Sequence, residues 1–168
     1  MQPLTPDHVQ AALDRLDAGI NIHFFETTTA TSQQAAENIG CELGQIVKSI
    51  CFIVSGTQPV VVLTSGDQRV DDRKIAALYN VGRKQVRTAT ADECVAIWGY
   101  APGGVPPLGY RTDGIAAYVD ESLKRYDTVY AAGGAHNAIF PISLDVLLRA
   151  TGAAVTDVIR RESGGEQA

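Results

Sequence analysis

No two cysteines of this chain stand in a C-x-x-C pair, and Cys41, Cys51 and Cys94 are its only three. An odd, scattered set of this kind argues against a disulfide framework or a structural zinc site. It fits a reducing compartment, so a cytoplasmic location is expected. Histidine is scarce too: His8, His23 and His136 are never spaced as H-E-x-x-H, which argues against a zinc hydrolase. There is no G-x-S-x-G nucleophile elbow and no G-x-x-x-x-G-K-[ST] phosphate loop. Long apolar runs are missing. Stretches such as Pro59 to Leu63 are too short to cross a bilayer, so no membrane partner is expected. The first ten residues lack the basic region and apolar core of a secretory signal. No internal repeat and no linker divides the chain.

What is present describes one globular unit. A length of 168 residues suits a single domain, and 45% hydrophobic with 20% charged residues is ordinary for a packed core. The expected division is one domain over residues 1–160 and a disordered polar tail over 161–168. The net charge of −5 disfavours a broad grip on nucleic acid but leaves room for a local phosphate site.

Patterning gives the elements. Thr5-Pro6 opens a helix carrying Val9, Leu13 and Leu16, which Gly19 ends. Ile20 to Glu26 reads as a strand, Thr27 to Thr31 as a polar loop, and Thr31 or Ser32 caps a short helix. Gln45–Ser55 and Pro59–Ser65 are β-branched runs around Gly56-Thr57-Gln58, a hairpin whose second strand is buried on both faces. Asp71 or Asp72 caps a helix through Leu78, and Gln85–Ala89 reads as a short strand. Thr90 and Glu93 have capping-box spacing before a helix that stops at Gly99. Strands follow at Ile115–Val119, Thr128–Ala132 and Asn137–Pro141, then a helix capped by Ser143 and a last strand at Ala154–Ile159. The elements do not alternate strictly, which favours an α+β fold with a mixed or antiparallel sheet.

Several stretches are candidates for chemistry. GYAPGGVPPLGY, Gly99 to Tyr110, combines four glycines that bare the backbone with three prolines that stiffen it. It is either a rigid turn or a binding loop. Lys48 interrupts the apolar strand GQIVKSICFIV. It is either a snorkelling side chain or a compact charge for phosphate or carboxylate. In GGAHN, Gly133 and Gly134 again bare main-chain donors, and His136 is either exposed or turned into a pocket. Asp120 and Glu121 are either paired acids or the opening of a helical turn. Between Asp67 and Arg87, six basic residues stand against three aspartates. That excess is either a solvated helix face or a patch for a phosphate backbone.

Taken together, the order and spacing of these motifs resemble the YbaK family, the prolyl-tRNA synthetase-associated editing domains. The carriers are Lys48 in VKSICFIV, the G-x-x-x-P loop Gly103–Pro107 with Leu108-Gly109 after it, D-x-S-L at Asp120, and G-G-x-H-N at Gly133. The resemblance spans about Thr28 to Val158. It implies an α+β fold with a mixed, mostly antiparallel sheet partly closed into a barrel and flanked by helices. It implies hydrolysis of the ester of a misacylated tRNA in trans, chiefly tRNA for proline carrying a small wrong amino acid such as cysteine or alanine. No metal and no cofactor is implied; the partners are the tRNA acceptor end and a prolyl-tRNA synthetase. By resemblance, Lys48 meets the terminal adenosine and its phosphate, and Gly103 and Gly104 present main-chain groups to the aminoacyl end. His136 serves as proton carrier or pocket wall. Ser49, Val105, Pro106, Pro107, Gly109, Asp120, Gly133 and Gly134 complete the substrate site. Some members carry asparagine after the lysine, where this chain has Ser49. Three other roles remain: a binding module for an aminoacylated end or a metabolite, a general small-ester hydrolase, and a purely structural or interaction role.

Overall fold

The computed structural model describes residues 1–161. Of the expected polar tail, residues 162–168 lie outside the described part. Four helices of ordinary α type surround the sheet: α1 (Pro6–Asp14), α2 (Ser32–Ile39), α3 (Asp72–Leu78) and, after the short α4 (Ala91–Glu93), α5 (Leu144–Thr151). The caps read in the sequence form. The Oγ1 atoms of Thr31 and Thr90 accept from the main chain of Gln34 and Glu93, and Ser143 caps Val146. Gly40 and Gly152 close α2 and α5 in the left-handed conformation.

The strands are β1 (His23–Phe24), β2 (Ile46–Val54), β3 (Gln58–Ser65), β4 (Val86–Thr88), β5 (Ala116–Asp120), β6 (Thr128–Ala132), β7 (Ala138–Ser143) and β8 (Ala154–Thr156). They form one sheet in the order β1-β7-β6-β2-β3-β5-β8, with β4 also on β2. Pairings β1–β7, β6–β7, β2–β3 and β2–β4 are antiparallel; β2–β6, β3–β5 and β5–β8 are parallel. The sheet is mixed, as expected, but it is not closed into a barrel. Its two edges are β1, of two residues, and β8, of three, and neither offers enough ladder to close upon the other.

The hairpin forms around Ser55-Gly56, both with positive φ, the mirror-image turn that matches strand twist. Val60 to Leu63 of β3 are fully buried on both faces. Side-chain alternation along β2 divides the interior. Val47, Cys51 and Ile53 join the larger core with Leu13, Trp98 and Phe140. Phe52 and Val54 join a smaller one with Ile75, Val86 and Val158 under α3.

Two elements are shorter than the sequence suggests and a third keeps its length but changes its hydrogen bonding, each for a local reason. Between Ile20 and Ile22 the main chain bonds to the amide of Gln10 (2.8 and 3.0 Å) instead of a neighbouring strand, so β1 is cut to two residues. The last strand stops at Thr156 because Val158 N–H turns to Asp120 Oδ1 at 2.9 Å. The segment after Glu93 widens into a π-turn, Cys94–Trp98, closed by Gly99 N–H on the Cys94 carbonyl at 2.9 Å. Gly99 itself has φ +104, and from it the glycine- and proline-rich loop departs.

Candidate functional site

The ladder along β2 has a gap. On one side β3 pairs with it from Val47 to Val54. On the other, β6 pairs only with Ile46 and Val47, and β4 begins at Phe52. Between these partners a pocket of about 190 Å³ opens against the bare edge of Lys48, Ser49 and Ile50. Gly103 and Val105 of the loop line it, with Ala132 and Tyr130 from β6 and the segment Thr29–Ser32 that leads into α2.

Ser49 stands at the centre of the gap. Main-chain groups alternate along a strand. Cys51 uses its carbonyl on this edge, accepting from Ala89 N–H at 2.8 Å, so the N–H and C=O of Ser49, two residues earlier, face the same way. Among the described residues no strand residue pairs with Ser49 there. Its Oγ is also buried without a hydrogen-bond partner. One residue thus offers a donor, an acceptor and a hydroxyl at a pocket wall. Unsatisfied buried polar atoms are costly, and clusters of them commonly mark a place that awaits a ligand or water.

Lys48 is half-buried on the opposite face of β2, and its Nζ donates to the carbonyl of Gln68. Burial lowers its pKa from the ordinary lysine value. The nearby positive charge of Arg69 lowers it further, and Asp67 opposes them. Asp67 is itself held down by Arg125, which clamps it with two bonds of 2.8 and 3.0 Å and also donates to Ser65 Oγ.

The loop is positioned from behind. Gly103 has φ +91, and a Cβ there would stand 3.2 Å from that of Ala30. The Gly104 carbonyl accepts from Gly134 N–H at 3.0 Å, which joins this loop to the second glycine turn. Gly134, with φ +97, lies close upon α1, where a Cβ would come within 2.9 Å of Val9 Cγ2. The His136 carbonyl accepts from the hydroxyls of Thr28 (3.2 Å) and Thr29 (3.1 Å) and from Thr29 N–H, pinning the pocket's third wall.

Of the residues singled out in the sequence, Lys48, Ser49, Gly103 and Val105 line one pocket. Gly104, Gly133 and Gly134 lie behind its wall. The others stand elsewhere. The His136 ring is exposed and outside the lining; its main chain does the positioning. Pro106 and Pro107 are buried as the root of the loop, and the Gly109 carbonyl takes the Tyr100 hydroxyl at 2.7 Å. Asp120 is not a pocket residue. It is 1% exposed, and its two oxygens accept from Ser122 N–H (2.8 Å) and Val158 N–H (2.9 Å), ending β5 and holding the chain after β8. The sequence reading missed Thr29 to Ser32 as a wall. The hydroxyl-rich run TTTATS is its only sequence signal, and that run has the pattern of a polar loop. Among the described residues no cluster of three or more His, Cys, Asp or Glu is placed to hold a metal ion, and no helix is long and apolar enough to cross a membrane.

An open strand edge facing a glycine loop, with a half-buried lysine beside it, defines a small pocket that presents main-chain groups. The sequence pattern of the aminoacyl-tRNA editing domain matches residues 26–150, and the chain belongs to that family. It is 35% identical over 119 residues to the uncharacterized protein YwhH of Bacillus subtilis, covering 71% of this chain and 73% of that one. A protein of Enterococcus faecalis named "Putative Cys-tRNA(Pro)/Cys-tRNA(Cys) deacylase EbsC" is 25% identical over 132 residues, 79% of each chain. A proline–tRNA ligase of Lactobacillus gasseri is 38% identical over 104 residues, which are 61% of this chain but 18% of the ligase. The fold matches, at a TM-score of 0.85 and 37% identity over 93% of this chain and 97% of the other, a crystal structure described as "a putative trans-editing enzyme for prolyl tRNA synthetase".

Proposed function

We propose that this protein is an aminoacyl-tRNA deacylase that acts in trans to clear tRNA for proline carrying a small wrong amino acid, such as cysteine or alanine. The observation that carries the reading is the gap beside β2, where Ser49 leaves its N–H, C=O and hydroxyl unpartnered in a pocket walled by Gly103 and Val105. The proline–tRNA ligases and the deacylase among its relatives support the tRNA assignment.

Lys48, at the pocket wall, takes the phosphate of the terminal adenosine. The carbonyl of Ser49 accepts from the α-amino group of the aminoacyl moiety. Main-chain N–H groups of Ser49 and Gly103 face the ester carbonyl. Water attacks the carbonyl carbon, the oxyanion forms against these donors, and the bond to the ribose oxygen breaks. The proton from water passes to that oxygen, leaving a free amino acid and a free tRNA end. Preorganised donors at a developing oxyanion are worth about 10²–10³ in rate each. An aminoacyl ester is already activated, so the chemistry needs no nucleophilic side chain.

The pocket volume of about 190 Å³ sets the acyl size. It is below the roughly 300–1,000 Å³ of sites that enclose drug-sized ligands. One methylene changes binding in such a pocket by about 1–3 kcal/mol, so small side chains are separated by modest factors. The test is a panel of cysteinyl-, alanyl-, seryl- and prolyl-tRNA for proline, with ester loss followed over time. Cysteine or alanine is cleared fastest and proline is spared. Clearance of a simple ester with no activity on any of these tRNAs would replace this reading by a general esterase.

A further inference from the structure

Of the six basic residues between Asp67 and Arg87, three have carboxylate partners in the fold, and Arg69, Arg73 and Lys84 have none among the described residues. Lys74, Arg83 and Arg87 are matched by Asp157 (2.9 Å), Asp72 (3.6 Å) and Glu93 (2.7 Å), so these three form a neutralised surface. Arg69 has no carboxylate partner among the described residues. Its neighbour Asp67 is taken by Arg125 at 2.8 Å.

The chain after β8 brings a second free cation to the same place. An antiparallel bridge joins Val70 to Ile159, and the N–H of Arg160 donates to the carbonyl of Arg69 at 2.7 Å. Both arginines are exposed, and Arg160 likewise meets no carboxylate among the described residues. The residue before Arg69 is Gln68, whose carbonyl holds the ammonium of Lys48. Gln68 and Arg160 share a groove with Arg125 and Ser122. Two acids of that groove, Asp67 and Asp157, are ion-paired; Glu121 is the third. Arg69 and Arg160, opposite one another across this antiparallel bridge, therefore put two positive side chains beside the Lys48–Gln68 contact in a protein whose net charge is −5. Like charges held together without counter-charges repel, and that arrangement favours an anion between or beside them. Arginine adds a planar fork that fits phosphate oxygens.

We propose that Arg69 and Arg160 form a second anion site, for the RNA phosphodiester next along the strand from the one at Lys48. The inference rests on reading the pocket as the seat of an RNA end. The two arginines touch no reacting atom; they anchor the strand that delivers the ester.

The test uses a short single-stranded RNA ending in CCA with a fluorescent label at its 5′ end. Binding is followed by anisotropy between about 50 and 200 mM salt for the wild type, R69Q, R160Q and the double variant. Each neutralised phosphate of a single strand contributes about 0.7 to the slope of log affinity against log salt. The double variant removes one neutralised phosphate, so it loses about 0.7 of that slope and binds about tenfold more weakly at low salt. Unchanged affinity and slope overturn the proposal, as does a wild type that binds no RNA. Hydrolysis of an aminoacyl-adenosine, which has no upstream phosphate, separates this outcome from the proposed activity. RNA binding that depends on both arginines without any hydrolysis by the wild type keeps the anion site and removes the deacylase reading. Hydrolysis with RNA binding indifferent to both arginines does the reverse.

Discussion

Replacing Gly104 by alanine tests whether the two glycine turns must touch for the pocket to work. A Cβ at Gly104 would stand 3.0 Å from the Ala135 nitrogen, 3.1 Å from its Cα and 3.2 Å from its carbonyl carbon. These are backbone atoms of a loop fixed at the Gly134–Gly104 bond of 3.0 Å, so nothing flexible can swing aside. Gly104 does not have a positive φ, so the methyl group brings crowding without dihedral strain. Overpacking of a well-packed contact costs about 1–3 kcal/mol. At about 2–4 °C per kcal/mol for a protein of this size, the melting temperature falls by about 2–12 °C. A shift of a few tenths of an ångström also moves Gly103 and Val105 against Ser49. The deacylation rate then falls by more than the lost folded fraction accounts for. Gly82→Ala is the control: Gly82 has φ −74 and open space around it, so alanine there is neutral or raises stability by about 0.4–1 kcal/mol. The assay is thermal unfolding beside single-turnover deacylation at a temperature where both variants are folded. A G104A protein with wild-type stability and wild-type rate would refute the claim that this contact shapes the pocket.

Four further outcomes follow from the geometry. Ser49→Ala leaves the main-chain donor and acceptor in place, so it keeps deacylation within about tenfold while removing an unpaired hydroxyl, and stability rises or stays level in a denaturant titration. Asp120→Ala strands the N–H groups of Ser122 and Val158, lowering stability by about 1–3 kcal/mol per group left unsatisfied, with the rate per folded molecule unchanged. Arg69→Gln removes a like charge that depresses Lys48, so the lysine pKa rises and the alkaline limb of the pH–rate profile moves to higher pH. Asp67, Asp157 and Glu93 have lowered pKa values from Arg125, Lys74 and Arg87 respectively, Glu93 to about 2. Their contribution to stability is present above the ordinary carboxylate range and is lost as pH falls through it toward about 2, read as a falling unfolding midpoint in acid.

The elements that were legible in the sequence are those whose signal is local. Thr31, Thr90 and Ser143 cap helices through atoms three residues away, and the hairpin turn needs only Ser55 and Gly56. Lys48 stood out because a charge inside a β-branched run breaks its alternation. The gap beside Ser49 was not legible as a gap, because it depends on where β4 and β6 stop along β2, and these strands lie about thirty-five and about eighty residues further along the chain. Its position next to Lys48 made it a candidate without showing why. The parts played by His136 and Asp120 were not legible for a related reason. A motif names a residue without saying whether its side chain or its main chain is used. At His136 the carbonyl holds Thr28 and Thr29, and at Asp120 the carboxylate is spent on two turns of backbone. The partial barrel failed because strand count does not reveal edge length, and the edges β1 and β8 are short.

The most direct test of the account is the single-turnover rate of ester loss from cysteinyl- and alanyl-tRNA for proline, with wild type and Lys48→Ala side by side. Lys48 sits at the wall of the pocket that also holds Ser49, and its variant keeps the fold, since the side chain is half-buried and makes one main-chain bond. The account expects rapid clearance of one of the two by the wild type and a loss of about 10²-fold or more in the variant. Equal rates for both proteins, or a wild type that leaves both esters at the rate of buffer alone, would contradict it.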